Sequence, residues 1–368
     1  MHKIKDRKLF KWHRKEFNKV LIIQNNDQHA GFSALITYAL NGIRRAKAIN
    51  AIPIIDFNRE NTPYFYDKSK GEDIWEYFFE KVSDYTPYEV REWYFQGKIA
   101  ADSIEQITPE EAHKSHQYDK DRLATFWAWE KPVDKTAWML EKRMLGRAYV
   151  QKYLKPKTTI SKKVELFTSA HFNSSFIIGV HIRGTDFAYA KPTPIETYLN
   201  GIAELLKRTP IGAYQIYVAT DQIQYLETFK KHYGDKVLSW NAVRSANHIA
   251  PFRQDNISGF QKGEDVLIDI LLLSKCDHIF KGAAAVGEIA LWFCDHNNIT
   301  DFAIESDFYR KPYGELESTF SQLNLNNTYP LVLKLQRLKN GAIRRLTASR
   351  VGHHLFVRYA WVRKILRH

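Results

Sequence analysis

Apolar residues along the chain gather into short continuous runs separated by polar turns, the rhythm of buried parallel strands alternating with helices. Val20–Gln24 (VLIIQ) is rich in branched residues and predicts a buried strand. A turn with Asp27 and Gly31 follows, then helical spacing from about Phe32 to Ala48, and Ala51–Phe57 predicts the next strand. Together they make a βαβ unit, which implies a parallel sheet. From about Arg59 to Asp134 aromatics crowd without a clean period, so mixed helix and loop are expected there. A long helical pattern then runs from about Lys135 to Leu154 and is closed by Pro156.

The second half alternates more cleanly. Strands are predicted at Phe176–Ile182, Gln215–Thr220, Val237–Trp240, His278–Lys281 and Thr300–Ile304. Helices are predicted from near Pro194, up to about Tyr233, from about Gly263 to Ser274, and from about Ala284 to Phe293. This is the order of a doubly wound α/β domain. With 368 residues the chain exceeds one ordinary domain. The expected division is 1–165, 166–310 and a terminal segment 311–368.

Composition sharpens this only at the ends. Two cysteines, Cys276 and Cys294, lie within apolar helical patterns without metal-ligand spacing, which favours a reducing compartment over a disulfide scaffold or a zinc site. The charged stretch from Lys3 to Lys19 lacks the apolar centre of a signal peptide, and no run approaches the length of a membrane span. A soluble or peripheral cytoplasmic protein is expected. The net charge is +13, and no acidic residue follows Glu317, so much of the excess belongs to the tail. There Leu355, Tyr359, Val362 and Leu366 keep helical spacing among arginines, predicting a basic amphipathic helix. It suits either an anionic membrane or packing on the rest of the chain, and the one-sided charge tilts the reading to the membrane. A nucleic-acid-binding protein is disfavoured, because the charge is terminal and no binding module is visible.

Candidate chemistry clusters at strand ends. Ile177–Asp186 ends an apolar strand by delivering His181, Arg183, Thr185 and Asp186 to the carboxyl edge of a parallel sheet, where such folds bind ligands. Arginine suits a diphosphate because its planar fork makes paired, charge-assisted hydrogen bonds and stays ionised when desolvated. Surface pairing of Arg183 with Asp186 is the competing structural reading. Thr220 and Asp221 arrive at the same edge, as ligand contacts or as a helix N-cap. Asp269 lies inside the apolar helix Val266–Leu273 and needs a partner, either structural or the base of a ligand. Lys281–Gly287 joins a strand to a helix through Ala284 and Ala285, whose small side chains either let backbone N–H groups approach a phosphate or simply pack closely.

Taken together, these segments resemble the α-1,6-fucosyltransferase group, including the nodulation fucosyltransferases, and more loosely the protein O-fucosyltransferases. The His-x-Arg-Arg-Thr-Asp-Lys motif stands as His181–Phe187, Pro-Ile-Glu-x-Tyr as Pro194–Tyr198, Tyr-x-Ala-Thr-Asp as Tyr217–Asp221, and the helix aspartate as Asp269, in order across roughly residues 175 to 295. Gly31-Phe32 matches a loop that faces the donor in that group. The resemblance implies a GT-B architecture of two Rossmann-like domains facing a cleft. It implies inverting transfer from GDP-fucose or a related GDP-sugar to a glycan or lipid-linked acceptor, with no metal cofactor. Arg183 would clamp the β-phosphate, His181 and Asp269 would contact the nucleoside, and Asp221 would lie along the donor cleft. The second arginine of the motif is Gly184 here, the lysine is Phe187, and the usual polar residues before the late helix are Ala284 and Ala285. The downstream acidic residue proposed as base in the animal enzymes of that group has no counterpart in Phe187–Lys191, so the base has to come from elsewhere. Asp186 is the first candidate, and Asp27 or His29 the alternatives. A GT-B-like protein that binds a nucleotide sugar without catalysis is the competing reading.

Overall fold

The computed structural model describes residues 10–12, 15–27, 30–108, 122–128, 130, 132–185, 192–247 and 249–305. A small antiparallel pair, β1 (Phe10–Trp12) and β2 (Lys15–Phe17), leads into β3 (Val20–Gln24). Then follow α1 (Phe32–Ala48), β4 (Ile52–Asp56), α2 (Trp75–Phe78), α3 (Pro87–Phe95) and β5 (Ile104–Ile107). Helices α4 (Lys135–Tyr153) and α5 (Thr158–His171) connect to the second half. That half runs β6 (Phe176–Ile182), α6 (Ile195–Arg208), β7 (Tyr214–Thr220), α7 (Ile223–Tyr233), β8 (Val237–Leu238), α8 (Gly259–Leu273), β9 (His278–Lys281), α9 (Ala285–Phe293) and β10 (Ile299–Asp301).

Two parallel sheets result, ordered β4-β3-β5 and β10-β9-β6-β7-β8. Val20–Ile23 and all of β4 are buried, as strands covered on both faces must be, which explains the apolar runs Val20–Ile23 and Ile52–Ile55. Both sheets belong to one compact unit that runs to Phe308. A single apolar cluster continues from Leu21 and Ile36 in the first half to Ile177, Tyr217 and Leu272 in the second.

Most predicted elements stand within two residues of their expected bounds. The exceptions have local causes. β5 (IEQI) is a half-buried edge strand and carries no apolar run. α5 buries only Ile160 and Val164, so its sequence is mostly that of a solvated helix face. α8 begins four residues earlier than expected, because Ser258 caps it by accepting from the Gln261 N–H at 3.1 Å. β10 starts at Ile299 and ends at Asp301, so Phe302–Ile304 falls outside the strand. The predicted amphipathic tail helix lies outside the described residues. Among the described residues, no helix is long and apolar enough to cross a membrane.

α4 is tied to the second sheet by packing and by charge. A Cβ on Gly146 would lie 2.5 Å from the Trp292 indole, so glycine lets α4 and α9 approach. Arg143 reaches from α4 to Glu288 with two 2.9 Å hydrogen bonds, and also to Asp301. Lys281 completes the group, 2.8 Å from Asp301 and 3.3 Å from Glu288.

Candidate functional site

In the five-stranded sheet the chain steps from β6 outward to β7 and β8, then returns to the other side of β6 for β9 and β10. That reversal between β6 and β9 is the topological switch point, beyond whose carboxyl edge ligands bind in open α/β sheets. A solvent-open cleft of about 680 Å³ lies there. His181 and Arg183 come to it from the end of β6, Thr220 and Asp221 from β7, Asp265 and Asp269 from α8, and Val286 from the first turn of α9. Ala242, Val243 and Phe252 from the loop after β8 close one side. Phe252 in turn packs on Tyr64 and Phe65 of the first half, with ring centroids 5.5 and 6.4 Å away.

The Arg183 loop is held by Asp221. The Gly184 N–H donates to Asp221 Oδ1 at 2.7 Å, and the Thr185 hydroxyl donates to Oδ2. Arg183 Nε donates to the Thr185 carbonyl at 3.2 Å. The Asp221 carboxylate therefore shapes the turn that presents the guanidinium. It does not cap α7, whose N-cap is Gln222 with no side-chain hydrogen bond, so the N-cap reading of Asp221 is corrected. Thr220 is buried and its hydroxyl accepts from the Gln222 N–H at 3.3 Å.

His181 is 6% exposed, and its Nδ1 has no hydrogen-bond partner. Burial, and then the neighbouring charges of Arg183 and Lys281, bring its pKa down to about 3. A neutral imidazole with an unpaired nitrogen thus lines the cleft. The position of Gly287 explains how α9 comes so near: a Cβ there would stand 3.1 Å from Nδ1 and 2.9 Å from Lys281 Cβ. Tyr198, the last residue of the Pro-Ile-Glu-x-Tyr landmark, is fully buried and donates to the His181 carbonyl at 3.2 Å, so its place is structural.

Asp269 has a structural partner and also a place on the cleft wall. Its Oδ1 accepts from the Tyr217 hydroxyl at 2.5 Å, yet it also lines the cleft. Burial raises its pKa to about 7 against the opposing effects of Tyr217 and Arg244. One turn earlier, Asp265 accepts from the Val243 N–H at 3.0 Å and from Trp240 Nε1 at 3.4 Å. Asp265 and Lys262, both on the cleft wall, carried no sequence signal. Asp265 directly precedes the apolar run that begins at Val266 and Lys262 lies four positions before it, where polar residues look like ordinary solvated helix face.

The remaining predicted residues are placed differently. Ala284 is buried as the N-cap of α9, and its N–H is already spent on the Gly282 carbonyl at 2.9 Å. Ala285 opens the helix, whose first-turn N–H groups have no partner within it, and only Val286 of this stretch lines the cleft. Gly31 caps α1 with an extended backbone, and no atom lies within 4 Å of a Cβ built on it. The Phe32 ring is core, 4.7 Å from Phe78 and 5.5 Å from Phe65, which leaves only backbone to face a ligand. Asp27 accepts from the Tyr38 hydroxyl at 3.4 Å, and its carbonyl accepts from Asn25 Nδ2 at 3.0 Å. Asp186 and His29 lie outside the described residues. No group of three or more His, Cys, Asp and Glu is arranged to share a metal ion among the described residues.

No protein-family model matches the sequence. Similar solved structures include the fucosyltransferase NodZ from Bradyrhizobium, at 14% identity over 80% of this chain and 99% of that one, with a TM-score of 0.44. A mutant of FUT1 from Arabidopsis thaliana in complex with GDP matches at 11% identity over 77% of this chain and 69% of that one, TM-score 0.43. POFUT1 in complex with GDP-fucose matches at 11% identity over 77% and 98%, TM-score 0.42.

Proposed function

We propose that the chain is an inverting, metal-independent glycosyltransferase that moves fucose from GDP-fucose to a glycan or lipid-linked acceptor in cell-surface polysaccharide synthesis. Residues 166–310 form the donor side and 1–165 the acceptor side. One observation carries the reading: Arg183 stands in the switch-point cleft while the carboxylates around it are already engaged. Asp221 is bound by the Gly184 N–H and Thr185, Asp265 by Val243 and Trp240, and Asp269 by Tyr217. With these carboxylates held by hydrogen-bond donors and a guanidinium among the cleft-lining groups, the cleft suits an anionic ligand. Its inner end, with Ala219, Val243 and Val266 around Asp269, suits a flat base whose N–H groups need an acceptor. Guanine, with donors at N1 and N2, meets that need.

In the proposed reaction the acceptor hydroxyl attacks the anomeric carbon, the bond to the β-phosphate breaks, and the hydroxyl proton passes to a carboxylate, for which Asp186 is the candidate. Charge develops on the leaving diphosphate, where the guanidinium and the first-turn N–H groups of α9 stabilise it. His181, kept neutral, offers its ring nitrogens to the nucleoside as donor or acceptor without adding charge. The basic tail would bring the enzyme to an anionic membrane surface that carries the acceptor.

Thermal shift against GDP-fucose, GDP-mannose, UDP- and CMP-sugars tests the donor. A ligand at one hundred times its Kd stabilises by about 2.7 kcal/mol, so GDP-sugars are expected to raise Tm and the others not. Arg183→Ala should abolish transfer while the melting temperature of the free protein holds. Near-normal turnover in that variant overturns the reading.

A further inference from the structure

We propose that Lys262 supplies a second cation to the donor diphosphate, reaching it from α8 across the cleft from Arg183; this rests on the nucleotide-sugar reading above. Position 184 of the strand-end motif has little room for another cation. A Cβ on Gly184 would fall 2.2 Å from Gln222 Oε1 and 2.6 Å from the Tyr225 ring, so the turn lies flat on α7. Among the described residues, a further positive charge lines the cleft from a different element.

Lys262 is that charge. It lines the same cleft as Arg183 and His181, and it makes no ion pair among the described residues. Partial burial lowers its pKa, with attraction from Asp255 the smaller opposing effect. A lysine drawn partly from water, with only the smaller attraction of Asp255 to offset it, is in an environment that an anionic ligand would relieve.

The layout of α8 separates the two ends of a nucleotide. Lys262, Asp265, Val266 and Asp269 follow i, i+3, i+4, i+7 spacing and share one face of the helix, and all four line the cleft. Lys262 and Asp269 are seven residues apart, about 10 Å along the axis. Asp269 binds Tyr217, the middle residue of β7, and so sits low against the sheet. The helix starts after the loop that follows β8, at the carboxyl edge, which puts Lys262 near the level of Arg183. A base beside Asp269 would then leave its phosphates at the rim, between Arg183, the first turn of α9 and Lys262.

Calorimetric binding of GDP and of guanosine to the full chain tests this, using Lys262→Met, Lys262→Arg and Arg183→Ala. Losing one charge-assisted contact should weaken GDP by about 10- to 100-fold in Lys262→Met. Guanosine, which lacks phosphates, should bind within about twofold of its wild-type affinity. Lys262→Arg should restore most of the GDP affinity, and raising the salt should shrink the difference between wild type and Lys262→Met. Equal losses for GDP and guanosine would assign Lys262 to packing and overturn the proposal, as would unchanged GDP binding in Lys262→Met. If GDP affinity falls in Arg183→Ala but not in Lys262→Met, the lysine assignment fails and the nucleotide reading survives. If the wild type binds neither ligand, both fail.

Discussion

Replacing Glu288 by glutamine removes one charge and almost no volume from the group that joins α4 to α9. Glu288 is 0% exposed and Lys281 1% exposed, while Arg143 and Asp301 are nearly as buried. Two cations face two carboxylates, so the formal charge of the group is zero. Glutamine keeps one acceptor oxygen for Arg143 but turns an NH₂ group toward a cation, and it leaves one buried positive charge uncompensated. Burial works to lower the Arg143 pKa, yet Glu288 and then Asp301 outweigh it and raise it, so the guanidinium cannot escape by losing its proton. Breaking a buried pair from one side costs about 3–5 kcal/mol. The exposed pair Lys207–Glu204 is an internal control: its 3.0 Å separation is as short, but water screens it, and Glu204→Gln should leave stability almost unchanged. Urea denaturation of both variants reads the contrast as a shift in midpoint at constant m. A midpoint shift for Glu288→Gln no larger than that for Glu204→Gln would refute the reasoning. Removing charge from both sides, as Arg143→Met with Glu288→Met, should recover most of the loss, since no unpaired member of that pair remains.

Acid should act on the same group through Asp301, where burial opposes ionisation but Lys281 and then Arg143 prevail and hold the pKa below 3.8. A depressed carboxyl contributes stability above its unfolded pKa and loses it as pH falls through the folded value. The midpoint should therefore stay level near neutrality and drop below about pH 4, with a shallower drop in Asp301→Asn. Asp269 has the opposite sign: its pKa is raised to about 7, so its ionised form is gained only as pH rises through that value. Guanosine affinity should increase between pH 6 and 8, and the dependence should flatten in Asp269→Asn; a flat wild-type profile overturns the acceptor role of this carboxylate. Gly184→Arg, which restores the motif's second arginine, should lower activity, because Gln222 and Tyr225 occupy the space its side chain would need. Gly146→Ala should destabilise by about 1–3 kcal/mol through overpacking on Trp292, read by the same urea titration.

β6, β7 and β9 are legible in the sequence because they are largely buried, so each apolar run is bounded by polar residues where the chain leaves the sheet; β8 and β10 are only partly buried, and their expected bounds run past the strands. The same physics put Arg183, Thr220 and Asp221 in view, since residues at carboxyl ends of neighbouring strands share one crevice whatever the loops do. Pairings across long sequence separations were not legible. Nothing in the helical pattern of Lys135–Tyr153 shows that Arg143 meets Glu288 and Asp301, 145 and 158 residues away. Close approaches between distant segments are hidden in the same way. Gly259 and Gly263 suggest a late helix start, but they sit inside the helix because the Tyr66 carbonyl and the Phe78 ring press against them.

Gly184 and Lys262 belong to one trade within the cleft. An arginine at 184 would force the turn away from α7, and the Gly184 N–H would lose its 2.7 Å bond to Asp221. Asp221 would then keep only the Thr185 hydroxyl on that loop, and the guanidinium of Arg183 would be presented by a looser turn. Glycine keeps the turn seated and fixes one cation well. The charge absent from the strand side is supplied from α8, on the same helical face as Asp269 and about two turns before it. A departure from the motif at 184 is then matched by a residue 78 positions later, a compensation that only the folded cleft brings together.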